Sequence, residues 1–203
     1  MTRAELKAQA KSQLKGKVGM FFLCSLIVGI ITLVGGMIPL VGALITLLIS
    51  IPLSIGLILI YLDVTNNLDI KLERLFDGFK YFWKALVLML LVGVFTWLWT
   101  LLFIIPGIIK AYSYSMSFYI LAENPEMTAL EALNESKRIM QGHKMELFVL
   151  ELSFILWDLL YIVTFGIAGI WIMPYMQLTI TNFYHSIKDK KEIPTAETVT
   201  VEY

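Results

Sequence analysis

The sequence predicts an all-α integral membrane protein. Six transmembrane helices form three hairpins, each preceded by an amphipathic helix at the cytoplasmic surface. The first observation is composition. The chain has 203 residues, of which 58% are hydrophobic and 16% charged, against about 25% charged in soluble domains, and its mean hydropathy is +0.77. The second is a set of six apolar runs long enough, or nearly so, to cross a hydrocarbon core of about 30 Å. The third is the segregation of charge into the segments between hairpins.

The apolar runs lie near 18–37, 41–62, 84–104, 107–122, 145–165 and 170–187. Backbone amides inside a bilayer must pair within their own segment, so these runs predict helices rather than isolated strands. The connections are of two kinds. "GGMIPLVG", "IIPGI" and "TFGIAGI" are short, rich in Gly or Pro and uncharged, as tight turns between antiparallel helices require. The others are long and charged. Of the 16 Lys and Arg, 15 fall before Val18, between Leu62 and Ala85, between Ala122 and Met145, or after Ile187. By the positive-inside rule those segments are cytoplasmic, both termini are inside and the hairpin turns face out. The basic N-terminus is patterned as a helix and its apolar run reaches about 20 residues, which argues against a cleaved signal peptide.

A shift of 58 residues lays "YLDVTNNLDIKLERLFDGFK" (61–80) on "YILAENPEMTALEALNESKR" (119–138) without gaps. Tyr61/Tyr119, Asn66/Asn124, Leu72/Leu130, Glu73/Glu131 and Leu75/Leu133 are identical, where chance yields about one or two identities in such a stretch. "TRAELKAQAKSQLKGKVGMFF" reads as a third, weaker copy. The predicted unit is a cytoplasmic amphipathic helix followed by a hairpin, with copies near 1–62, 63–122 and 123–187 in one membrane domain of residues 1–190. The polar tail 191–203 is predicted to be disordered.

Thr2 with Glu5, and Thr128 with Glu131, have the spacing of capping boxes. In the middle copy, Leu72, Leu75, Phe76, Phe79, Phe82 and Trp83 form one apolar stripe, with Lys71, Arg74 and Lys80 elsewhere. A helix of that pattern lies in the plane of the membrane interface. It serves either as a surface for lipid or a protein partner, or as an elbow that seats the hairpin.

Ionisable residues at membrane depth are costly, and each marks a candidate site. Lys110 is the only basic residue outside the charged segments. It lies roughly 5–8 Å below the outer interface, and Asp158 lies roughly 10 Å below it. Depth therefore nominates Asp158 first and Glu151 second to neutralise Lys110. Lys110, Tyr114 and Ser117 share a helical face, and Gln177 and Thr181 form a stripe on the last span beyond Pro174. These seven residues, Lys110, Tyr114, Ser117, Glu151, Asp158, Gln177 and Thr181, line either a polar cavity or a set of satisfied interhelical hydrogen bonds, each worth about 1 kcal/mol or less.

Several functions are disfavoured. A net charge of zero provides no field for nucleic acid. One cysteine, Cys24, precludes an intrachain disulfide, and two distant histidines make a poor metal site. No phosphate-binding, dinucleotide-binding or hydrolase motif occurs, so neither a cofactor nor an enzymatic activity is expected.

The stretches "IPGIIKAYSYSMSFYILAENPEMTALEALNESKRIMQGHK" and "PYMQLTITNFYH" resemble a bacterial family of small multi-pass membrane proteins, domain-of-unknown-function family 975. The resemblance covers nearly all of residues 1–190. It implies a Gram-positive cytoplasmic-membrane protein and brings no established activity. The family is also distantly similar to membrane domains fused to glycerophosphodiester phosphodiesterases, which points to lipid-related work. The expected function is non-enzymatic binding, related to transport, of a lipid, amphiphile or peptide in the polar cavity. The alternative is a structural or accessory membrane protein that binds a partner through the inner-leaflet amphipathic helices. The expected partners are the lipid bilayer, a lipid or amphiphilic ligand, and a membrane protein or a further copy of the chain.

Overall fold

The computed structural model describes residues 1–37, 42–164 and 166–192, and every regular element among them is helical. In order these are α1 (Arg3–Leu14), α2 (Val18–Gly36), α3 (Gly42–Thr65), α4 (Arg74–Asp77), α5 (Phe82–Leu102), α6 (Ile104–Tyr114), α7 (Ser117–Glu123), α8 (Ala129–Ile139), α9 (Lys144–Leu152), α10 (Ile155–Val163) and α11 (Gly169–Glu192). By length and composition, two helical stretches can cross a membrane, Leu44–Thr65 and Arg74–Leu102. A third is added if α1 and α2, bent by 85° at Lys15–Lys17, count as one span.

Helix α3 is the hub. It packs against α2, α4, α5, α7 and α11, while α5 pairs with α6, α10 touches α11, and α1 lies along α11. The buried side chains form two clusters. One gathers Ile55, Leu59, Leu88, Leu121, Leu133 and Leu150. The other joins α1, α2 and α11 through Leu14, Phe21 and Leu178. Away from these clusters the helices carry apolar side chains outward, including Leu33, Trp97, Leu102, Ile105, Leu156 and Ile162.

Four features depart from the sequence reading. Where one helix is expected over 107–122, the chain breaks between α6 and α7. Ser115 donates its hydroxyl to the Tyr112 carbonyl at 3.0 Å and Ser113 to the Ile109 carbonyl at 2.8 Å, the local competition by which serine disturbs a helix. The segment expected over 145–165 likewise breaks at Ser153–Phe154, where the Trp157 amide donates to the Phe154 carbonyl at 2.8 Å instead of reaching back a full helical turn to Ser153.

The third departure is the middle amphipathic helix. Its first part is only the four-residue α4, which passes through a 3-10 turn over Gly78–Tyr81 into α5. Capping boxes form at both predicted sites. The Thr2 amide donates to Glu5 at 2.8 Å and the Thr128 amide to Glu131 at 2.7 Å, with the return bonds to the threonine hydroxyls at 3.3 Å each. The middle copy has Ile70 where the last has Thr128, so Glu73 finds no such partner. Phe82 and Trp83 consequently begin α5. Leu75 is buried, Leu72 and Phe82 are half-buried, and Phe76, Phe79 and Trp83 are exposed.

This segment packs closely on α3. A Cβ at Gly56 would lie 1.9 Å from the Leu75 carbonyl oxygen, and one at Gly78 the same distance from that of Pro52. Only glycine allows this approach. Arg74 secures it with an ion pair to Asp63 of α3 at 2.9 Å, and also pairs with Asp77 within α4 at 3.1 Å.

The fourth departure is α11, which runs on through Pro174 to Glu192, past the expected start of the tail at 191. The rest of that tail lies outside the described residues, as does the centre of the first predicted turn, 38–41.

Candidate functional site

The polar groups nominated from the sequence sort into separate arrangements along the broken helices. Helix α6 lies on α5 with Gly107 against Thr100. That crossing directs Lys110 toward α5, and its Nζ sits 4.6 Å from the centre of the Trp99 ring. An indole face attracts an ammonium electrostatically. The expectation that Asp158 or Glu151 meets Lys110 is therefore corrected: the close partner is an aromatic face. Glu151 on α9 instead accepts a 2.6 Å hydrogen bond from the hydroxyl of Tyr112, two residues beyond Lys110 on α6. The Tyr112 ring stands edge-on to Phe148 at 5.9 Å. Asp158 is exposed on α10 and has no ion pair among the described residues.

A second arrangement runs along α11. Tyr119 donates its hydroxyl to Gln177 Oε1 at 3.2 Å, and the buried Thr181 donates to the Gln177 carbonyl at 2.8 Å. Tyr119 stacks on Tyr184 at 5.6 Å. Tyr184 and Lys188 then donate to the same oxygen of Glu123 at 2.5 and 2.9 Å. Burial pushes the Glu123 carboxyl up, but the bonds from Tyr184 and Lys188 outweigh it, so its pKa is lowered. The Thr65 hydroxyl and His185 Nε2 lie 3.0 Å apart beside this group.

Tyr114 is buried beside Phe95 and below Lys137, whose Nζ is 5.6 Å from its ring centre. Ser117 is wholly buried, and its hydroxyl has no hydrogen-bond partner among the described residues.

Both helix breaks are closed by side chains from amphipathic helices. At α6/α7, Ser136 of α8 accepts from the Met116 amide at 3.2 Å and donates to the Ser113 carbonyl at 2.9 Å. One hydroxyl thus pairs a donor and an acceptor that the break released. At α9/α10, Lys7 of α1 donates to the freed Ser153 carbonyl at 3.1 Å, with its ammonium 4.0 Å from the centre of the Phe154 ring. Burial, and then the neighbouring Arg3, lowers the Lys7 pKa. Reciprocal amide bonds between Gln13 and Asn182 hold α1 on α11 further along.

Between α1, α9 and α11 lies a groove of about 440 Å³. Leu6, Val149, Leu150 and Phe183 supply apolar lining, and Arg3 and Glu146 are its charged residues. This mixture matches the usual ligand cleft, apolar with a few polar groups. Sequence reasoning missed Tyr112, Ser136, Lys7 and the groove. Only Tyr119 carried a signal, its identity with Tyr61 in the repeat.

Helices, hydrogen-bonded polar groups and outward apolar faces define an all-helical protein with segments able to cross a membrane. The chain belongs to the family described as "Protein of unknown function (DUF975)", which matches residues 1–113 and 101–191. No curated protein and no solved structure matches it.

Proposed function

We propose that this is a six-crossing bacterial membrane protein, with three hairpins and both termini cytoplasmic, that binds an anionic lipid or amphiphile without chemically changing it. The broken segments α6–α7 and α9–α10 each count as one crossing. The repeated units 1–62, 63–122 and 123–187 each bring one hairpin. The groove between α1, α9 and α11 carries the reading, because Arg3 there supplies a cationic partner for a headgroup beside an apolar lining. The set Lys110, Glu151, Asp158 and Gln177 then serves the crossing helices rather than a reaction.

Native mass spectrometry of protein extracted in mild detergent tests this. Wild type should retain an anionic lipid. Val149→Trp, which fills the groove, should lose it while remaining monodisperse. Retention of the same lipid by that variant, or its loss from Lys110→Met and Glu151→Gln with the groove intact, places the ligand elsewhere.

A second reading has its own observation. Phe76, Phe79 and Trp83 are 48%, 44% and 74% exposed, a suitable surface for a partner protein at the inner leaflet. If charge changes at Lys71 and Lys80 remove function while the groove variants keep it, this accessory role prevails.

A further inference from the structure

The sequence pairs Lys110 with Asp158 by depth, yet the fold leaves both without an ion pair among the described residues. Lys110 is seven residues from the turn at Phe103 and Asp158 six from the end of α10 at Thr164. At 1.5 Å per residue both lie about 10 Å from their turns. With the two turns on one side of the membrane, an ammonium and a carboxylate thus stand at the same depth on separate apolar surfaces.

The surface around Asp158 is open. No residue of α10 is buried, and Leu156 and Ile162 are 76% and 68% exposed. The α5–α6 hairpin is similarly bare at Trp97, Leu101 and Ile105. A carboxylate turned to lipid is costly and calls for a partner at its own depth.

We infer that α10 docks against the α5–α6 hairpin of a second copy of this chain, with Asp158 of one copy paired to Lys110 of the other. Charge complementarity selects the occupant, since this chain itself presents the matching cation at the matching depth, half-buried beside Trp99 on a hairpin whose neighbouring side chains are exposed. A twofold arrangement makes the contact twice, as symmetric dimers do, and covers both faces of each copy.

The contact rests on the membrane placement proposed above, so insertion is measured separately by carbonate extraction of the same membranes. Release of wild type by carbonate overturns that placement and this contact together. With insertion intact, two differently tagged copies are co-expressed in a Cys24→Ala background, one with Lys110→Cys and the other with Asp158→Cys, and treated with a short bis-maleimide. The expected product carries both tags. Absence of that product overturns the contact. So does a crosslink confined to one chain when both cysteines are placed on a single copy.

Charge reversal provides the independent measurement. Lys110→Asp or Asp158→Lys alone should weaken self-association about tenfold, because each variant removes both copies of the contact and each copy is on the scale of one average interhelical polar interaction in a membrane. The double reversal should restore it. Unchanged association in both single variants, each monodisperse and helical, overturns the pairing.

Discussion

Ser136 and Lys7 show how one side chain can sustain a broken helix. A break releases backbone groups that an apolar environment cannot satisfy, and an unsatisfied buried group costs about 1–3 kcal/mol. Ser136→Ala leaves both the Met116 amide and the Ser113 carbonyl without their observed partner, so its thermal midpoint in detergent should fall by several degrees. A midpoint equal to wild type means another group closes the break. Glu123 yields a pH prediction. Its folded pKa lies below its ordinary value, which is about 4.3. Its contribution to stability is therefore present above that value and is lost as pH falls through the lower, folded one. Thermal melts from pH 6 to pH 3 should show a steeper acid decline in wild type than in Glu123→Gln. Parallel curves would exclude Glu123 as a source of that decline.

At the scale of elements, the amphipathic helices act as clamps. Helix α8 closes the α6/α7 break and α1 closes the α9/α10 break, so each holds a partner distant in sequence. Lys7→Met should detach α1 from α9, making the N-terminal residues more sensitive to limited proteolysis, while Lys7→Arg preserves the donor and the protection. Cap loss should be smaller. Thr128→Ala should cost about 1 kcal/mol and Thr128→Ser little, read from denaturation midpoints. The contact of α4 with α3 is less forgiving. A methyl group at Gly56 meets backbone rather than a movable side chain, and overpacking of this kind costs about 1–3 kcal/mol. Gly56→Ala should lower stability by at least as much as Thr128→Ala, and a smaller loss would mean that α4 moves aside freely.

Across the whole molecule, packing is uneven. Only 11% of the most apolar window of Arg74–Leu102 is buried, against 44% for Leu44–Thr65. The first must meet an apolar medium or another protein surface along nearly its whole length, whereas nearly half of the second is already enclosed by the chain. The proposed topology makes a direct prediction. In a Cys24→Ala background, cysteines at Ile104 and Ile167 should react with a membrane-impermeant maleimide on intact cells. Cysteines at Glu126 and Gln141 should react only after the cells are opened. The reverse pattern would invert the chain in the membrane.

The helical segments themselves were readable in the sequence. Apolar runs need no distant partner to declare themselves helical, and hydroxyl–carboxylate spacing announced both capping boxes. The short α4 was readable in principle, because Ile70 lacks the hydroxyl that Thr128 provides. Partners of the polar residues were not. The sequence ranked them by depth along each helix, and depth says nothing about how a helix is rotated or which neighbour it faces. Once the Gly107–Thr100 crossing sets α6 against α5, Lys110 turns to Trp99 and Tyr112 reaches Glu151. The same holds for the breaks. Serine spacing hints that a helix is weak, but the Ser136 and Lys7 side chains that close it arrive from other helices. What the sequence determined by itself was local, namely helices, caps and the segregation of charge, because adjacent residues set those. Tertiary structure alone decided which donor meets which acceptor, since that depends on helix rotation and crossing, which arise only when distant segments pack.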